Sequence, residues 1–416
     1  MKHKAKAAAS AAATSALLLL AACGGEGETP DEQSAAPEDV SGTVTFWTYP
    51  FSTITEASWW QPYVDEFNEE YPDVEIEVVM QAWQGREESL VTAITGNNAP
   101  DVVYFNPDFV PKYADQDLLL PMDDLREDWD QFYDSSLESM TWDDTLYGQP
   151  MLMQLQTSYC NTDVLDEAGV AECPTTWDEF REAAPAIQEA GYYATEYNGV
   201  STLNHTFYLY LWQAGGEVLN EDMTEATFNG PEGLQALEFI QEMVDNEWVP
   251  QEPLSIAEPF EQTDAGQGNL GYVMGSNLAS TRQFIDPDVI ETVPPMSNVE
   301  QVASGSVGAW SIFNTTESPE ATQAWVRFLG EPEFLEDFLS ESGYLSPRAD
   351  IEGLFADDPQ IAEGADYLEH LRTGVQHPKA REIIDMIRPH IQSVLLEGAD
   401  PQEALDAAAD EVNGAL

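Results

Sequence analysis

Basic residues are scarce in this chain. Lysine and arginine together number 14, against 77 aspartates and glutamates, so the formal net charge is −63 at pH 7. Proteins gain most of their affinity for nucleic acids from lysine and arginine contacts to phosphates, and a polyanion of this size is repelled by them. The scarcity therefore excludes nucleic acid as a partner.

The acidic excess also bears on the conditions under which the chain folds. Like charges at this density oppose the compact state by mutual repulsion. Molar salt shortens the Debye length to about 3 Å and screens most of this repulsion. We therefore expect a halophilic or salt-tolerant protein whose folded state loses stability when salt is withdrawn.

Cysteine and histidine are rare as well, with three and five residues respectively. The histidines are scattered along the chain, which argues against a histidine-rich metal site. The sequence lacks the G-x-S-x-G, H-E-x-x-H and phosphate-loop patterns of common hydrolases and nucleotide enzymes. No metal site, no cofactor and no catalytic residue are predicted, and we expect a protein that is not an enzyme.

The apolar stretch over residues 7–22 is too short and too small in its side chains for a membrane span. It follows a basic start, MKHKAK, and ends in Leu-Ala-Ala before Cys23, which indicates a secretory signal. The end of the stretch resembles the bacterial lipoprotein box, in which the cysteine is acylated and becomes the new N-terminus. We predict a signal peptide over 1–22, lipidation of Cys23 and a disordered acidic linker over 23–41. An ordinary signal peptide with an incidental cysteine is the alternative.

Strand and helix patterns alternate after the linker. Strands are predicted over 43–48, 74–79 and 101–105, and helices over 58–71 and 86–95 between them. Such a series indicates a doubly wound α/β unit. Because the remaining chain exceeds the usual size of a single hydrophobic core, we expect two lobes.

Several sequence blocks occur in an order typical of one known family. They are GTVTFWTYP, YPDVEIEVVMQAW, AITGNNAPDVVYF, YADQDLLLPMDDL, TLYGQPMLMQLQTSYCNTDVLDEAGV, LWQAGGEVLNEDMTEATFNGPEGLQALEFI, GNLGYVMGSN, SPEATQAWVRFLGEPEFLEDFLSESGYLSPR and ADPQEALDAAADEVN. Each block is weak evidence, but their joint order spans nearly the whole chain after the signal. In these blocks the sequence resembles the extracellular solute-binding proteins of ABC importers, in the carbohydrate-binding group that includes maltose-binding protein.

The resemblance implies two doubly wound α/β lobes joined by hinge strands, the periplasmic-binding-protein-like type II fold, with the ligand held between the lobes. It places the N-terminal lobe in 42–150 and 291–314, and the C-terminal lobe in 151–290 and 315–416. It further implies a monomeric receptor that delivers its ligand to the transmembrane subunits of a permease. The lipid anchor would hold the receptor on the extracellular face of the cytoplasmic membrane, with no other membrane contact.

Candidate ligand contacts follow the first three predicted strands. Open α/β sheets bind ligands at the carboxyl ends of their strands. Sugars need flat aromatic side chains for their ring faces and planar polar groups for their hydroxyls. Tyr49, Trp83, Asn106 and Asp108 meet these needs. A loop position for Tyr49, a core position for Trp83 and a capping role for the two polar residues are the alternatives.

The resemblance implies further contacts in later segments, at Gln154, Asn204, His205, Asn277, Trp310, Tyr344 and Arg348. Maltose-binding protein carries a ligand-contacting acid at the position of Gln154, and the family often has a stacking tryptophan at that of Asn277. These two departures bear on which sugar is bound. Core packing of Trp310, a capping or surface role for His205 and neutralisation of a carboxylate cluster by Arg348 stay open as alternatives.

Cys160 and Cys173 flank one predicted helix. Thiols outside the cell commonly oxidise, which favours a disulfide between these two residues. Two free buried cysteines are the alternative.

The expected ligand is a neutral di- or oligosaccharide, because a phosphorylated or acidic ligand would need basic partners that are few in this chain. A polyol, another small solute or a metal ion is the alternative within the transport class. A cell-surface glycoside hydrolase is a further alternative, since it also needs a sugar cleft together with two carboxylates. Acids occur throughout the chain, so the sequence singles out no particular pair.

Overall fold

The computed structural model describes residues 36–257, 259–365 and 367–416. Cys23 and the predicted signal peptide lie outside these ranges, as does most of the predicted linker. The last linker residues are described, and they include a 3₁₀ turn over Pro37–Asp39 and the start of the first strand at Ser41. In the described ranges no helix has the length and apolar character needed to cross a membrane.

The secondary structure alternates as expected in the first third of the chain. The strands are β1 (Ser41–Thr48), β2 (Asp73–Met80), β3 (Val102–Phe105), β4 (Thr141–Trp142), β5 (Thr145–Leu146), β6 (Gln149–Leu155), β7 (Thr157–Asn161), β8 (Tyr272–Ser276), β9 (Ile290–Val293), β10 (Ala303–Ile312) and β11 (Leu371–Arg372). The helices are α1 (Gln61–Glu70), α2 (Arg86–Thr95), α3 (Val110–Ala114), α4 (Asp134–Glu138), α5 (Thr162–Ala168), α6 (Trp177–Glu189), α7 (Phe207–Gln213), α8 (Pro231–Asp245), α9 (Leu278–Thr281), α10 (Pro319–Phe328), α11 (Pro332–Ser342), α12 (Pro359–Ala365), α13 (Ala380–Glu397) and α14 (Pro401–Ala415).

The first sheet has the strand order β11-β10-β3-β1-β2, with β6 paired to β10. β1 pairs in parallel with both β2 and β3, which makes the predicted βαβ series with α1 and α2. β10 runs antiparallel to β3 and to β6. Every residue of β3 is buried, as expected for a short apolar strand that is covered on both faces.

A second sheet has the order β8-β7-β9, and both outer strands run antiparallel to β7. Each sheet belongs to its own hydrophobic core. The first core surrounds Phe46 and Trp310, and the second contains Trp177 stacked on Phe239 with ring centroids 4.2 Å apart. The two cores define an N-terminal and a C-terminal lobe.

The chain crosses between the lobes on strands. β6 lies in the first sheet and β7 in the second, although Gln156 alone separates them. The return passes from β9 in the second sheet to β10 in the first. Strand crossings of this kind can act as hinges, and the predicted two-lobed α/β fold with hinge strands is confirmed.

The predicted lobe boundaries need one correction, in the segment after residue 314. Helices α10 and α11 complete the core of the N-terminal lobe, because Trp325 packs edge-on against Phe46 at 5.7 Å and Phe338 against Phe51 at 5.4 Å. Assigning all of 315–416 to the C-terminal lobe is therefore wrong for these two helices, and also for β11, which pairs with β10 in the first sheet. Helices α13 and α14 do pack in the second core. The remaining boundaries stay a prediction.

A disulfide joins Cys160, at the end of β7, to Cys173, in the loop between α5 and α6, with their Cα atoms 6.0 Å apart. It encloses α5 and ties the following loop to the second sheet. Cys160 is fully buried in the C-terminal core.

Candidate functional site

The carboxyl ends of β1, β2 and β3 meet at a cavity of about 370 Å³, which we call the cleft cavity. Residues of both lobes line it: Pro50, Phe51, Ser52, Trp83, Arg86, Tyr104, Asn106, Asp108, Gln154, Thr202, Asn204, His205, Gly305, Ser306, Tyr344, Thr373 and Arg381. A second cavity of about 410 Å³, the C-lobe cavity, shares His205 with it and is lined mainly by the C-terminal lobe. Each has the size expected of a small-molecule site.

Trp83 supplies an aromatic face to the cleft cavity. Its side chain is 41% exposed, and its Nε1 donates a 2.7 Å hydrogen bond to the carbonyl of Pro50. The indole stacks on the buried ring of Tyr49 at a centroid distance of 4.6 Å. Stacking on Tyr49 therefore fixes the orientation of the Trp83 indole. Tyr49 itself does not line either cavity.

Asn106 holds the end of β3 to a strand that crosses between the lobes. Its Nδ2 donates a 2.7 Å hydrogen bond to Ser306 Oγ on β10. Its Oδ1 accepts a 2.7 Å hydrogen bond from Arg86 Nη2. Ser306 lies opposite Gln154 of β6 in the sheet. The amides of Asn106 and Gln154 thus reach the same cavity from a strand end and from a crossing strand.

Two arginines contribute most of the charge at the cleft cavity. The guanidinium carbon of Arg86 lies 4.3 Å, and that of Arg381 4.6 Å, from the ring centroid of Phe109. Asp108 Oδ2 lies 2.9 Å from Arg381 Nε. Burial, together with the positive charge of Arg381, lowers the pKa of Arg86.

The C-terminal lobe presents Asn204 and His205 on a short turn before α7. Burial, followed by the charge of Arg381, lowers the pKa of His205 to about 4, so its imidazole is neutral at physiological pH. Among the residues that the structure describes, no hydrogen-bond partner reaches Asn204 Oδ1 or His205 Nδ1. Both buried atoms are therefore available to a ligand, and leaving such atoms unpaired costs free energy.

Two further predicted residues each line one of the cavities. Asn277 lines the C-lobe cavity, where its Oδ1 accepts a 2.9 Å hydrogen bond from the backbone N–H of Ser280 and caps α9. Tyr344 lines the cleft cavity, and burial raises its pKa to about 12, so its hydroxyl remains a donor.

Trp310 and Arg348 lie elsewhere. Trp310 is fully buried, with its ring 4.7 Å from that of Phe46, so the expectation of a ligand contact is replaced by core packing. Arg348 is 2% exposed and binds Asp350 and Asp128. Because its donors are taken up by these carboxylates and by the carbonyl of Gly330, it neutralises a carboxylate cluster and does not line the cavities.

Sequence reasoning missed both arginines of the cleft cavity. Arg86 follows β2 and opens α2, so the strand-end rule that selected Trp83 also reaches it. Arg381 lies in the first turn of α13, and no local pattern marks it. No local pattern marks Ser306 either, since it lies in the middle of a fully buried strand.

The described residues contain no group of three or more histidine, cysteine or acidic side chains that could hold a metal ion. In the described lining of the cleft cavity Asp108 is the one carboxylate, and it is held by Arg381. Glu196 lines the C-lobe cavity. The chemistry on offer is hydrogen bonding by amides, hydroxyls and guanidinium groups beside an aromatic face, which suits reversible binding of a polar ring.

Comparisons with known proteins agree with this architecture. An arabinooligosaccharide-binding protein of Halalkalibacterium halodurans is 24% identical over 418 aligned positions, covering 93% of this chain and 88% of that protein. An uncharacterized lipoprotein of Streptomyces antibioticus is 27% identical over 233 positions, covering 52% of this chain and 49% of that protein. The GacH receptor of Streptomyces glaucescens, solved unliganded and in complex with acarbose, has a TM-score of 0.80 at 20% identity and covers 90% of this chain and 98% of that chain.

The family assignment rests on a longer match. The sequence profile described as bacterial extracellular solute-binding protein matches residues 52–334, which is more than half of the chain. The matched range includes both strand crossings and all three strands of the second sheet. The chain belongs to the family of bacterial extracellular solute-binding proteins.

Proposed function

We propose that this protein is the lipid-anchored sugar receptor of an ABC importer, which captures a di- or oligosaccharide between its lobes and delivers it to the permease. The observation that carries the proposal is the cleft cavity, where half-exposed Trp83 lies among the amides of Asn106, Gln154 and Asn204. An aromatic face with planar amides is the combination that a sugar ring requires. The arabinooligosaccharide-binding relative and the acarbose-bound receptor support the sugar class.

Ligand capture would depend on both lobes. Asn106 belongs to the N-terminal lobe, whereas Asn204 and His205 belong to the C-terminal lobe. A ligand that bonds to both sides favours the closed arrangement, because closure is driven by the difference in ligand contacts between the two states. The permease would then recognise the closed form.

Membrane attachment would come from Cys23. Each buried methylene of an acyl chain contributes about 0.8 kcal/mol, and more than one chain is needed for stable anchoring. The relative that is named a lipoprotein supports this part of the proposal. Expressed with its signal peptide, the Cys23→Ala variant should appear in the medium, whereas wild type should stay with the membrane fraction and incorporate labelled fatty acid. Equal retention of both forms would contradict the anchor.

The binding proposal is tested by thermal unfolding in molar salt with neutral sugars, acidic sugars, polyols, peptides and divalent metals. A ligand at one hundred times its dissociation constant adds about 2.7 kcal/mol of stability, which gives a visible shift. Stabilisation by a group of related sugars supports the receptor. A shift with metals or peptides alone would overturn the sugar assignment, and release of reducing ends by the pure protein would favour the glycoside hydrolase.

We do not retain the predicted neutrality of the sugar. It depended on the small number of basic residues in the chain. Two of those few, Arg86 and Arg381, line the cleft cavity.

A further inference from the structure

The two arginines are concentrated at one part of the cleft cavity. They belong to different lobes, since Arg86 opens α2 and Arg381 lies in the first turn of α13. Both guanidinium groups nevertheless lie over the same ring, with their carbons 4.3 and 4.6 Å from the centroid of Phe109. Like charges in such proximity repel, and burial strengthens the repulsion. A compensating interaction is therefore expected for these two guanidinium groups.

The charges of the described lining do not cancel. Asp108 Oδ2 lies 2.9 Å from Arg381 Nε and compensates one cation. Arg86 donates from Nη2 to the neutral amide oxygen of Asn106 at 2.7 Å, and its buried Nη1 has no hydrogen-bond partner among the described residues. His205 is neutral at physiological pH. Two cations and one anion leave one positive charge in excess at this cavity.

Among the described residues, most other arginines have a carboxylate within ion-pair distance, although Arg327 and Arg388 do not. Arg126, Arg282 and Arg348 each lie within ion-pair distance of a carboxylate. With 77 acidic residues in the sequence, a counter-ion for Arg86 would be easy to supply, yet none of the described carboxylates lies within ion-pair distance of it. A cation with a buried, unpaired Nη1 group and no counter-ion is unfavourable, because the hydration lost by that group is not replaced. A neutral sugar would leave that cost in place, whereas an anionic ligand would remove it.

We propose that the sugar bound in the cleft cavity carries a carboxylate, as uronic acids and their oligomers do, and that Arg86 and Arg381 bind it. This inference rests on the proposed function and specifies the ligand of the same site. A carboxylate carries one negative charge, which matches the excess of the cavity, whereas a phosphate dianion exceeds it. Guanidinium groups recognise planar carboxylates through charge-assisted hydrogen bonds. Trp83, whose side chain is 41% exposed, would cover the face of the sugar ring.

Calorimetric titration of the purified full chain in molar salt tests the proposal directly. The probes are galacturonic acid, glucuronic acid, di- and trigalacturonate, their neutral counterparts, glucose 6-phosphate and the non-sugar carboxylate succinate. We expect at least one uronate to bind about ten times or more as tightly as its neutral counterpart, since a charge-assisted bond in a desolvated site has roughly that effect.

Substitutions separate a role for Arg86 in charge recognition from a structural role. Arg86→Gln should weaken uronate binding by about 10- to 100-fold, and Arg86→Lys should restore part of the loss because it keeps the charge. Arg327→Gln makes the same change in net charge on α10, away from both cavities, and should leave the affinity unchanged. Melting curves of each variant establish that it is folded.

The outcomes distinguish the carboxylate inference from the proposal of a sugar receptor. Neutral sugars or the phosphosugar bound in preference to uronates, or unchanged uronate binding by folded Arg86→Gln, would overturn the inference and leave the sugar receptor standing. Binding of succinate without any sugar would keep the carboxylate site and overturn the sugar receptor. Binding of none of the probes would overturn both.

Discussion

Asn106 donates a 2.7 Å hydrogen bond from Nδ2 to Oγ of Ser306, which lies 200 residues further along the chain. Asn106 follows β3, and Ser306 lies on β10, the strand by which the chain returns to the N-terminal lobe. Across the sheet, Ser306 faces Gln154 on β6, the outgoing strand. The bond therefore couples an amide of the N-terminal lobe that lines the cleft cavity to both strand crossings.

Ser306→Ala tests this coupling. The variant removes the principal acceptor of Asn106 Nδ2, which would then retain the 3.3 Å contact to the Tyr104 hydroxyl. We expect ligand affinity to fall about fivefold, because one hydrogen bond contributes about 1 kcal/mol. Ser311→Ala, on the same strand, removes a buried hydroxyl that has no partner among the described residues and should leave affinity unchanged. Equal affinities for both variants in a calorimetric titration would refute the coupling.

Trp83→Ala should weaken sugar binding by about 10- to 100-fold, because it removes the aromatic face of the cleft cavity, while Trp83→Phe should keep most of the affinity. The melting temperature should change little, since the side chain is 41% exposed. Tyr133→Ala is a matched control, because this exposed aromatic side chain lies outside both cavities. Intact binding by folded Trp83→Ala would rule out the stacking role.

His205 should make folding stability depend on pH. Its pKa is about 4 in the folded protein and 6.5 for an ordinary histidine, because burial and Arg381 disfavour the imidazolium. The unfolded chain therefore binds the proton first, so stability is full above pH 6.5 and falls as the pH drops towards 4. This group should account for about 1–3 kcal/mol of the loss.

Urea unfolding at pH 7 and pH 4 measures that loss, and His205→Gln should reduce it. The comparison with wild type matters because many carboxylates also titrate in this acidic chain. His390→Gln is the control and should not reduce the loss. His390 lies outside both cavities, and its Nε2 is 3.2 Å from Oε2 of Glu411. A pH dependence that is identical in wild type and His205→Gln would contradict the assignment.

Arg348 should matter for stability and not for ligand binding. It is buried, with two hydrogen bonds to Asp350 at 2.8 and 2.7 Å and one contact to Asp128 at 2.9 Å. Arg126 and Arg348 lower the pKa of Asp128 to about 2. Arg348→Gln should lower the free energy of unfolding by about 1–3 kcal/mol, because both carboxylates remain partly exposed to water and so lose only part of their stabilisation.

The readouts for Arg348→Gln are urea unfolding and a ligand titration under conditions where the variant is folded. The ligand dissociation constant should equal that of wild type. A large loss of affinity with unchanged stability would return Arg348 to the ligand site that the sequence resemblance implies.

The rule that ligands bind at the carboxyl ends of strands predicted several residues of the cleft cavity. It could not tell which of the predicted side chains are exposed and which are buried. Tyr49 and Trp83 both follow predicted strands and both are aromatic, yet one is buried and supports the other, which is exposed. Trp310 looked like a ligand contact in its sequence motif, but every residue of β10 is buried and its indole belongs to the aromatic core. The exposure of a side chain depends on which other segments pack over it. The residues next to it in the sequence do not specify those segments.

The sequence by itself determined the class of the protein. Alternating strand and helix patterns specify the βαβ series, and the order of its motifs specifies the family, because both are read from residues close together in the chain. Tertiary structure decided the charge of the site. Arg86, Asp108 and Arg381 come from α2, the loop after β3 and α13, and electrostatic interactions depend on distance in space. A chain with a net charge of −63 could therefore still place an excess positive charge at its cleft.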